Sequence, residues 1–282
     1  MNRVPVRLGV FAAGLALVFG VAAALGSVVH PGQPAATCDT MRATSSMGPE
    51  ALGVAVSQDG LTITPAASAM TAGRMRQLRF RVVDRTGAPV RSGYQLEAQR
   101  LLHLIVVRRD LTGYQHLHPR MSRDGTWSAP LTVSRPGAYR AFADFQLECQ
   151  KYVLAADVIA PGSFQPSRLP APSDVSRIDG YEVRLRTPVL RAGQHARLSF
   201  RVSRHGRPVR ALQPYLGARG HLVALRQGDL AYLHVHPENA DAAADLIPFG
   251  AEFPSAGSYR LFLQFQVGGK VHTATYTVRV AA

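Results

Sequence analysis

Two stretches of the chain alternate strictly between inward and outward positions. Tyr139, Ala141, Ala143 and Phe145 alternate with Arg140, Phe142, Asp144 and Gln146, and Tyr259, Leu261, Leu263 and Phe265 alternate with Arg260, Phe262, Gln264 and Gln266. A period of two puts each first set on one face of a strand, over a core. Similar short apolar or alternating segments recur between Gly, Pro and Asp punctuation. They predict strands near 53–57, 61–64, 76–84, 102–109, 113–118, 126–133, 138–147 and 151–160, then near 181–188, 195–203, 220–226, 231–236, 246–252, 258–267 and 270–280. Seven or eight strands in about 100 residues predict an all-β, two-sheet sandwich. Gly-x-Tyr at 137–139 and 257–259 matches the tyrosine corner that opens a late strand of immunoglobulin-like domains. Ala141 and Leu261 stand where the usual cysteine would, so an inter-sheet disulfide is not expected.

The two sets of strands belong to an internal repeat. Ala72-Gly73, Leu78, Phe80, Arg81 and Val82 recur as Ala192-Gly193, Leu198, Phe200, Arg201 and Val202. His103-Leu104 recurs as His221-Leu222, and Tyr114, His116, His118 and Pro119 recur as Tyr232, His234, His236 and Pro237. Gly137, Tyr139, Arg140 and Phe142 recur as Gly257, Tyr259, Arg260 and Phe262, and the offset stays between 118 and 120 throughout. Order and spacing that agree over so many landmarks mean tandem copies of one domain. The expected organisation is repeat 1 at 51–160, a Pro-rich linker at 161–176 and repeat 2 at 177–282.

Ahead of the repeats, residues 1–7 carry Arg3 and Arg7, and an uncharged, mostly apolar run follows from Leu8 to Val29. Its 22 residues match the roughly 20 needed to cross a bilayer as a helix. The flanking positive charge orients the N-terminus toward the cytoplasm. Ala22-Ala23-Ala24 would serve as a cleavage site behind a shorter apolar core. The segment at 8–29 is therefore a single-pass anchor or a cleaved signal, and 30–50 a polar spacer. Either way the repeats are expected outside the cytoplasm, at the cell membrane or secreted.

Composition changes this picture little. The net charge of +14 would ordinarily raise nucleic acid as a partner. Only Lys151 and Lys270 among the 32 basic residues are lysines, and the arginines are scattered with no interleaved aromatics. That pattern fits codon bias in a GC-rich genome, and no nucleic-acid partner is expected. Cys38 and Cys149 are too few for a disulfide scaffold or a four-cysteine zinc module, and an even count in an oxidising compartment favours their pairing.

The histidines carry the chemical signal. Both repeats contain His-x12-His-x-His-Pro. His116 and His118, at i and i+2 on a strand, share a face. If Asp110 and Leu111 centre the preceding hairpin turn, His103 lies across from His118 and on the face of His116. The same reasoning with Gly228 and Asp229 sets His221 against His236, beside His234. Three imidazoles so placed can close on one ion at the ~2.0–2.1 Å of a Zn–N bond. An all-imidazole set suits copper or zinc. His272 is a candidate extra ligand in repeat 2, while Asp144 and Glu238 are candidate supporting carboxylates. Hydrogen-bonded structural histidines are the competing explanation. No phosphate loop, Gly-x-Ser-x-Gly elbow or His-Glu-x-x-His motif is present, and no enzyme is expected.

The block from His103 to Pro119, followed by Pro136 to Asp144, resembles YtkA-like, immunoglobulin-type bacterial extracytoplasmic domains. The two-copy, membrane-anchored arrangement resembles actinobacterial proteins described as heavy-metal-associated. That resemblance spans about residues 51–282 and implies a cell-envelope location and copper handling. The reading at this level is a membrane-anchored tandem sandwich that binds copper or zinc through His103, His116, His118, His221, His234 and His236. The alternative is a metal-free envelope interaction or scaffold module, with a protein partner.

Overall fold

A computed structural model describes residues 52–233, 235–238 and 243–282. The N-terminal segments at 1–7, 8–29 and 30–50 lie outside the described residues, as does His234. The described residues form strands and no helix.

Repeat 1 contains β1 (Ser57–Gln58), β2 (Leu61–Pro65), β3 (Met75–Val83), β4 (Tyr94–Gln95), β5 (His103–Arg108), β6 (Gln115–Leu117), β7 (Arg120–Met121), β8 (Trp127–Thr132), β9 (Gly137–Leu147) and β10 (Gln150–Ala160). Repeat 2 contains β11 (Val175–Ile178), β12 (Tyr181–Arg186), β13 (His195–Arg204), β14 (Arg207–Pro208), β15 (His221–Arg226), β16 (Tyr232–Leu233), β17 (His236–Pro237), β18 (Leu246–Glu252), β19 (Gly257–Val267) and β20 (Lys270–Val280). All the strand pairs are antiparallel.

One sheet of repeat 1 runs β1-β2-β3-β8-β7 and the other β10-β9-β5-β6. Repeat 2 copies both, as β11-β12-β13-β18-β17 and β16-β15-β19-β20. Without its first strand, each five-stranded sheet has the A-B-E-D order of an immunoglobulin-like sandwich, and each opposing sheet has the C′-C-F-G order. The tyrosine corners close as the sequence predicts. The hydroxyl of Tyr139 donates to the Arg135 carbonyl at 2.8 Å, and that of Tyr259 to the Ser255 carbonyl at 3.0 Å. Cysteine is absent from both sandwich interiors, which are filled instead by residues such as Leu104, Trp127 and Phe145 in repeat 1 and Phe200, Leu261 and Tyr276 in repeat 2.

A third apolar cluster lies between the sandwiches. Ile105, Val107, Phe142, Val153 and Ala155 of repeat 1 meet Val223, Leu225, Leu230, Tyr232 and Phe262 of repeat 2. Those on β5, β9, β10, β15 and β19 sit on the outward faces of their strands, so these sheets are covered on both sides. All six residues of β5 are buried for that reason. The segment predicted as a strand at 53–57 is mostly irregular backbone along this seam. Gly53 has φ +67°, and a Cβ there would stand 2.6 Å from the Phe142 ring and 3.1 Å from Tyr232 Cβ. Glycine is the residue that fits both that conformation and that approach.

The Pro-rich stretch between the repeats is docked. Arg108, 1% exposed, donates to the Pro136 and Gln165 carbonyls and lies 5.3 Å over the Phe164 ring. The Ser167 amide donates to Asp110 at 2.8 Å. Strand β11 begins at Val175, inside the stretch expected to be linker.

Candidate functional site

Strand pairing places the histidines. Leu104 faces Leu117 and Ile105 faces His116 in the β5–β6 ladder. One step further, this register sets His103 opposite His118, and it centres the turn on Asp110 and Leu111. His103 and His116 share the face of Ile105 and Val107, which is the face turned toward repeat 2. The ring centroids of His103 lie 5.1 Å from His116 and 5.3 Å from His118, with His116 and His118 4.7 Å apart. Each of the three offers a ligating nitrogen within 4.8 Å of the others'.

In repeat 2, Ala224 faces Leu233 and Leu225 faces Tyr232, the register that the sequence predicts. The described strand on this sheet is Tyr232–Leu233. The stretch expected as one strand at 231–236 divides between β16 and β17, and His236 pairs with Gly250 on the opposite sheet, exposed. The described β15–β16 ladder does not reach His236. His221 borders the first cluster, its ring 4.5 Å from His116 and 5.5 Å from His103, where it stacks within 17°.

His272 is elsewhere. It pairs across strands with Phe265, on the core face of the sheet, while His221 pairs with Gln264 on the other face. Its Nδ1 lies 2.8 Å from Asp179 Oδ2. Of the two carboxylates, Asp144 borders the cluster, opposite His103 in the ladder. Glu238 is ion-paired with Arg197 at 3.1 Å.

Hydrogen bonds orient the rings. His103 Nε2 lies 2.9 Å from the Glu97 carbonyl oxygen. A carbonyl only accepts, so this nitrogen donates and Nδ1 of the neutral ring keeps its lone pair. His116 Nδ1 lies 2.6 Å from Gln264 Oε1, a residue that sequence reading did not single out. If Nδ1 donates there, Nε2 keeps the lone pair. These two remaining nitrogens face one another at 2.9 Å. His118 Nε2 is buried without a hydrogen-bond partner.

Burial pushes all three imidazoles toward the neutral form. The pKa of His103 is lowered by burial, which the Asp144 charge partly opposes. That of His116 is driven well below the ordinary value by burial, then by His221 and His103. That of His118 falls to about 4 through burial, His103 and Arg100. Lys151, one of the chain's two lysines, is ion-paired with both Asp144 and Glu97. Burial alone would lower its pKa, but the two carboxylates outweigh that and raise it. Two carboxylates and one ammonium leave negative charge beside His103. A cavity of about 460 Å³ opens here, bordered by His103, Asp144, Lys151, His221 and Tyr232.

No curated protein matches this chain. Solved structures resemble it only loosely. The Escherichia coli adhesin FdeC shares 15% identity over 81% of this chain and 66% of its own, with a TM-score of 0.26. Invasin, a bacterial integrin-binding protein, shares 14% over 80% of this chain and 40% of its own, at 0.24. The D0-D1 domain of intimin shares 11% over 79% and 99%, also at 0.24. The chain thus spans less than two thirds of the length of the first two. A family model matches residues 55–162 and again 176–282, so the chain belongs, through both repeats, to the family described as "Domain of unknown function (DUF8832)".

Proposed function

We propose that the chain is a non-enzymatic binding module of the cell envelope that holds a transition-metal ion, copper or zinc, at the histidine cluster between its sandwiches. The envelope location rests on Arg3, Arg7 and the Leu8–Val29 run. One observation carries the metal. His103 and His116 each turn one nitrogen to a protein oxygen, and their other nitrogens face each other at 2.9 Å. Two neutral rings hold two N–H groups for these three contacts, so with Gln264 Oε1 as the acceptor the third contact has room for a cation. Burial disfavours an extra proton there. Two nitrogens tetrahedrally bound at the usual Zn–N length sit ~3.3 Å apart, a small opening from the observed distance. The outer hydrogen bonds to Glu97 and Gln264 are of the kind that hold metal-ligating histidines in orientation.

The second reading is the metal-free interaction module. Turning over the Gln264 amide lets its NH2 donate to His116 Nδ1, and His116 Nε2–H then donates to His103 Nδ1. Every contact is satisfied without a cation, and the histidines become seam-filling polar groups.

Equilibrium dialysis of the purified chain against Zn(II) and Cu(II) separates the two. The metal reading expects stoichiometric binding that weakens at least tenfold in His116→Ala or His118→Ala. Binding should also fall with pH, because an imidazole ligand must be neutral. Absence of binding by the unmodified chain would leave the metal-free module.

A further inference from the structure

Independently of any metal, we infer that the turn carrying Arg226 and Asp229 in repeat 2 is a peptide-binding platform. Its partner is an extended, proline-containing protein segment with an aromatic residue three positions before a donated amide, the chemistry of Phe164 to Ser167.

Repeat 1 shows how such a platform is filled. The Phe164 ring lies over the Arg108 guanidinium and against Gly137, where a Cβ would stand 2.6 Å from the ring. Arg108 Nη2 donates to the Gln165 carbonyl at 3.3 Å, and the Ser167 amide donates to Asp110 Oδ2 at 2.8 Å. The side chains of Arg108 and Asp110 are thereby left only 1% and 5% exposed.

Repeat 2 builds the same platform. Arg226 and Asp229 form the equivalent ion pair, and Nε donates to the carboxylate at 3.0 Å, against 2.9 Å in repeat 1. The turns close alike. The Leu230 amide donates to the Arg226 carbonyl at 3.1 Å, as Leu111 does to Arg108 at 2.8 Å, and φ is +62° and +61° at the two leucines. Gly257 repeats Gly137, with φ +138° against +133°.

What differs is the cover. Among the described residues, nothing lies within 4 Å of a Cβ placed on Gly257, the space that Phe164 fills over Gly137. Arg226 and Asp229 are 23% and 42% exposed. Arg226 Nη1 is engaged by the Ser255 hydroxyl, and Nη2 meets Asp229 through one of its two hydrogens. The other hydrogen is placed for a carbonyl, as Arg108 Nη2 serves Gln165. Asp229 Oδ2 takes Arg226 and has room for the amide that Asp110 takes from Ser167. An aromatic ring over a guanidinium and a main-chain amide on a carboxylate are each favourable contacts. Proline in the segment reduces the entropy lost on ordering it.

The test is titration of the full chain with a fluorescently labelled peptide of the sequence 161–169, read by anisotropy and by amide hydrogen exchange. The repeat 1 platform is already filled, so one peptide per chain is expected, with exchange slowed at 226–230. Phe164→Ala in the peptide should weaken binding at least tenfold. Ser167→Pro in the peptide, which deletes the donated N–H, should do the same, as should Asp229→Ala in the chain. Circular dichroism guards against misfolding of Asp229→Ala, and the peptide variants need no such control. No saturable binding, or equal affinity for the unmodified and Phe164→Ala peptides, would mean that the turn only braces the Tyr259 corner. Slowed exchange at 108–112 in place of 226–230 would mean that the peptide displaces the chain's own linker, and would equally overturn the platform. None of these outcomes bears on the metal reading.

Discussion

Tyr114 lies flat on Phe262 across the seam, ring centroids 4.1 Å apart and planes within 7° of parallel. The counterpart pair, Tyr232 and Phe142, is looser, at 5.6 Å and 43°. The polar ends of the two tyrosines differ more. Tyr232 donates its hydroxyl to Asp144 Oδ2 at 3.0 Å. The Tyr114 hydroxyl is buried with no hydrogen-bond partner. The cause is one change between repeats: the position of Asp144 is taken by Gln264, whose side chain is engaged with His116.

Two equivalent substitutions should therefore have unequal effects. Tyr232→Phe removes a hydrogen bond to a charged acceptor and should cost about 1.5–3 kcal/mol. Tyr114→Phe removes an unsatisfied buried hydroxyl and should be neutral or stabilising by about 1 kcal/mol. Urea denaturation of both variants checks this. Equal losses would mean that the Tyr114 hydroxyl has a partner after all.

The sandwiches were legible because their inward faces repeat with period two and their turns carry Gly and Asp. The hairpin register was legible too once Asp110 and Leu111 are taken as the turn centre, the condition that sets His103 opposite His118. What escaped was the seam. Its signal was present: Phe142 and Phe262 occupy the outward set of their strands among Arg140, Asp144, Arg260 and Gln264. Likewise Leu104–Val107 and Leu222–Leu225 are apolar at both parities, the mark of a sheet covered on both faces. In a tandem protein the nearest cover is the other repeat. The pairing of His236 with Gly250 on the other sheet was not legible, because period-two spacing shows which residues share a face and not where a strand changes partners.

Asp110 should give the chain an acid-sensitive step. Burial alone would raise its pKa. The Arg108 guanidinium, the Ser167 amide and the Thr112 hydroxyl outweigh that and hold it at about 2. The carboxylate is 5% exposed and its Arg108 partner 1%. A pKa lowered from 3.8 to about 2 gives stability that is complete above pH 4 and lost as pH falls toward 2, about 2 kcal/mol in all. Asp110→Asn leaves the Arg108 charge buried without its partner and should cost about 3–5 kcal/mol at neutral pH. It should also remove this contribution to the slope between pH 4 and 2, as read from thermal unfolding across that range.

Cys149 is disulfide-bonded, at a turn where Glu148 and Cys149 both have positive φ. Cys38, the other cysteine of the sequence, lies outside the described residues. The unreduced, denatured chain should therefore expose no free thiol to a thiol-specific reagent, while Cys149→Ser should expose one. Two free thiols on the unmodified, unreduced chain would reject the bond. The pair Gly268-Gly269 occupies the equivalent turn of repeat 2, where positive φ carries no side-chain cost. The conformation of this turn is thus set by the hairpin, and the cysteine in repeat 1 tolerates it.

His272 tests whether a histidine in the same repeat can be removed without touching the site. It is 5% exposed, between Phe265 at 5.3 Å and Tyr181 at 4.8 Å, and bonded through Nδ1 to Asp179. It belongs to the sandwich interior, on the opposite sheet face from His221. His272→Ala leaves a cavity between two aromatic rings and removes the hydrogen bond to Asp179, which keeps its Lys270 ion pair, so the chain should lose about 2–4 kcal/mol of stability. Its metal affinity should be unchanged under conditions where it stays folded. His116→Ala should show the reverse balance: a binding loss of at least tenfold. A binding loss in His272→Ala as large as in His116→Ala would bring His272 into the ligand set and contradict its placement on the opposite sheet face from His221.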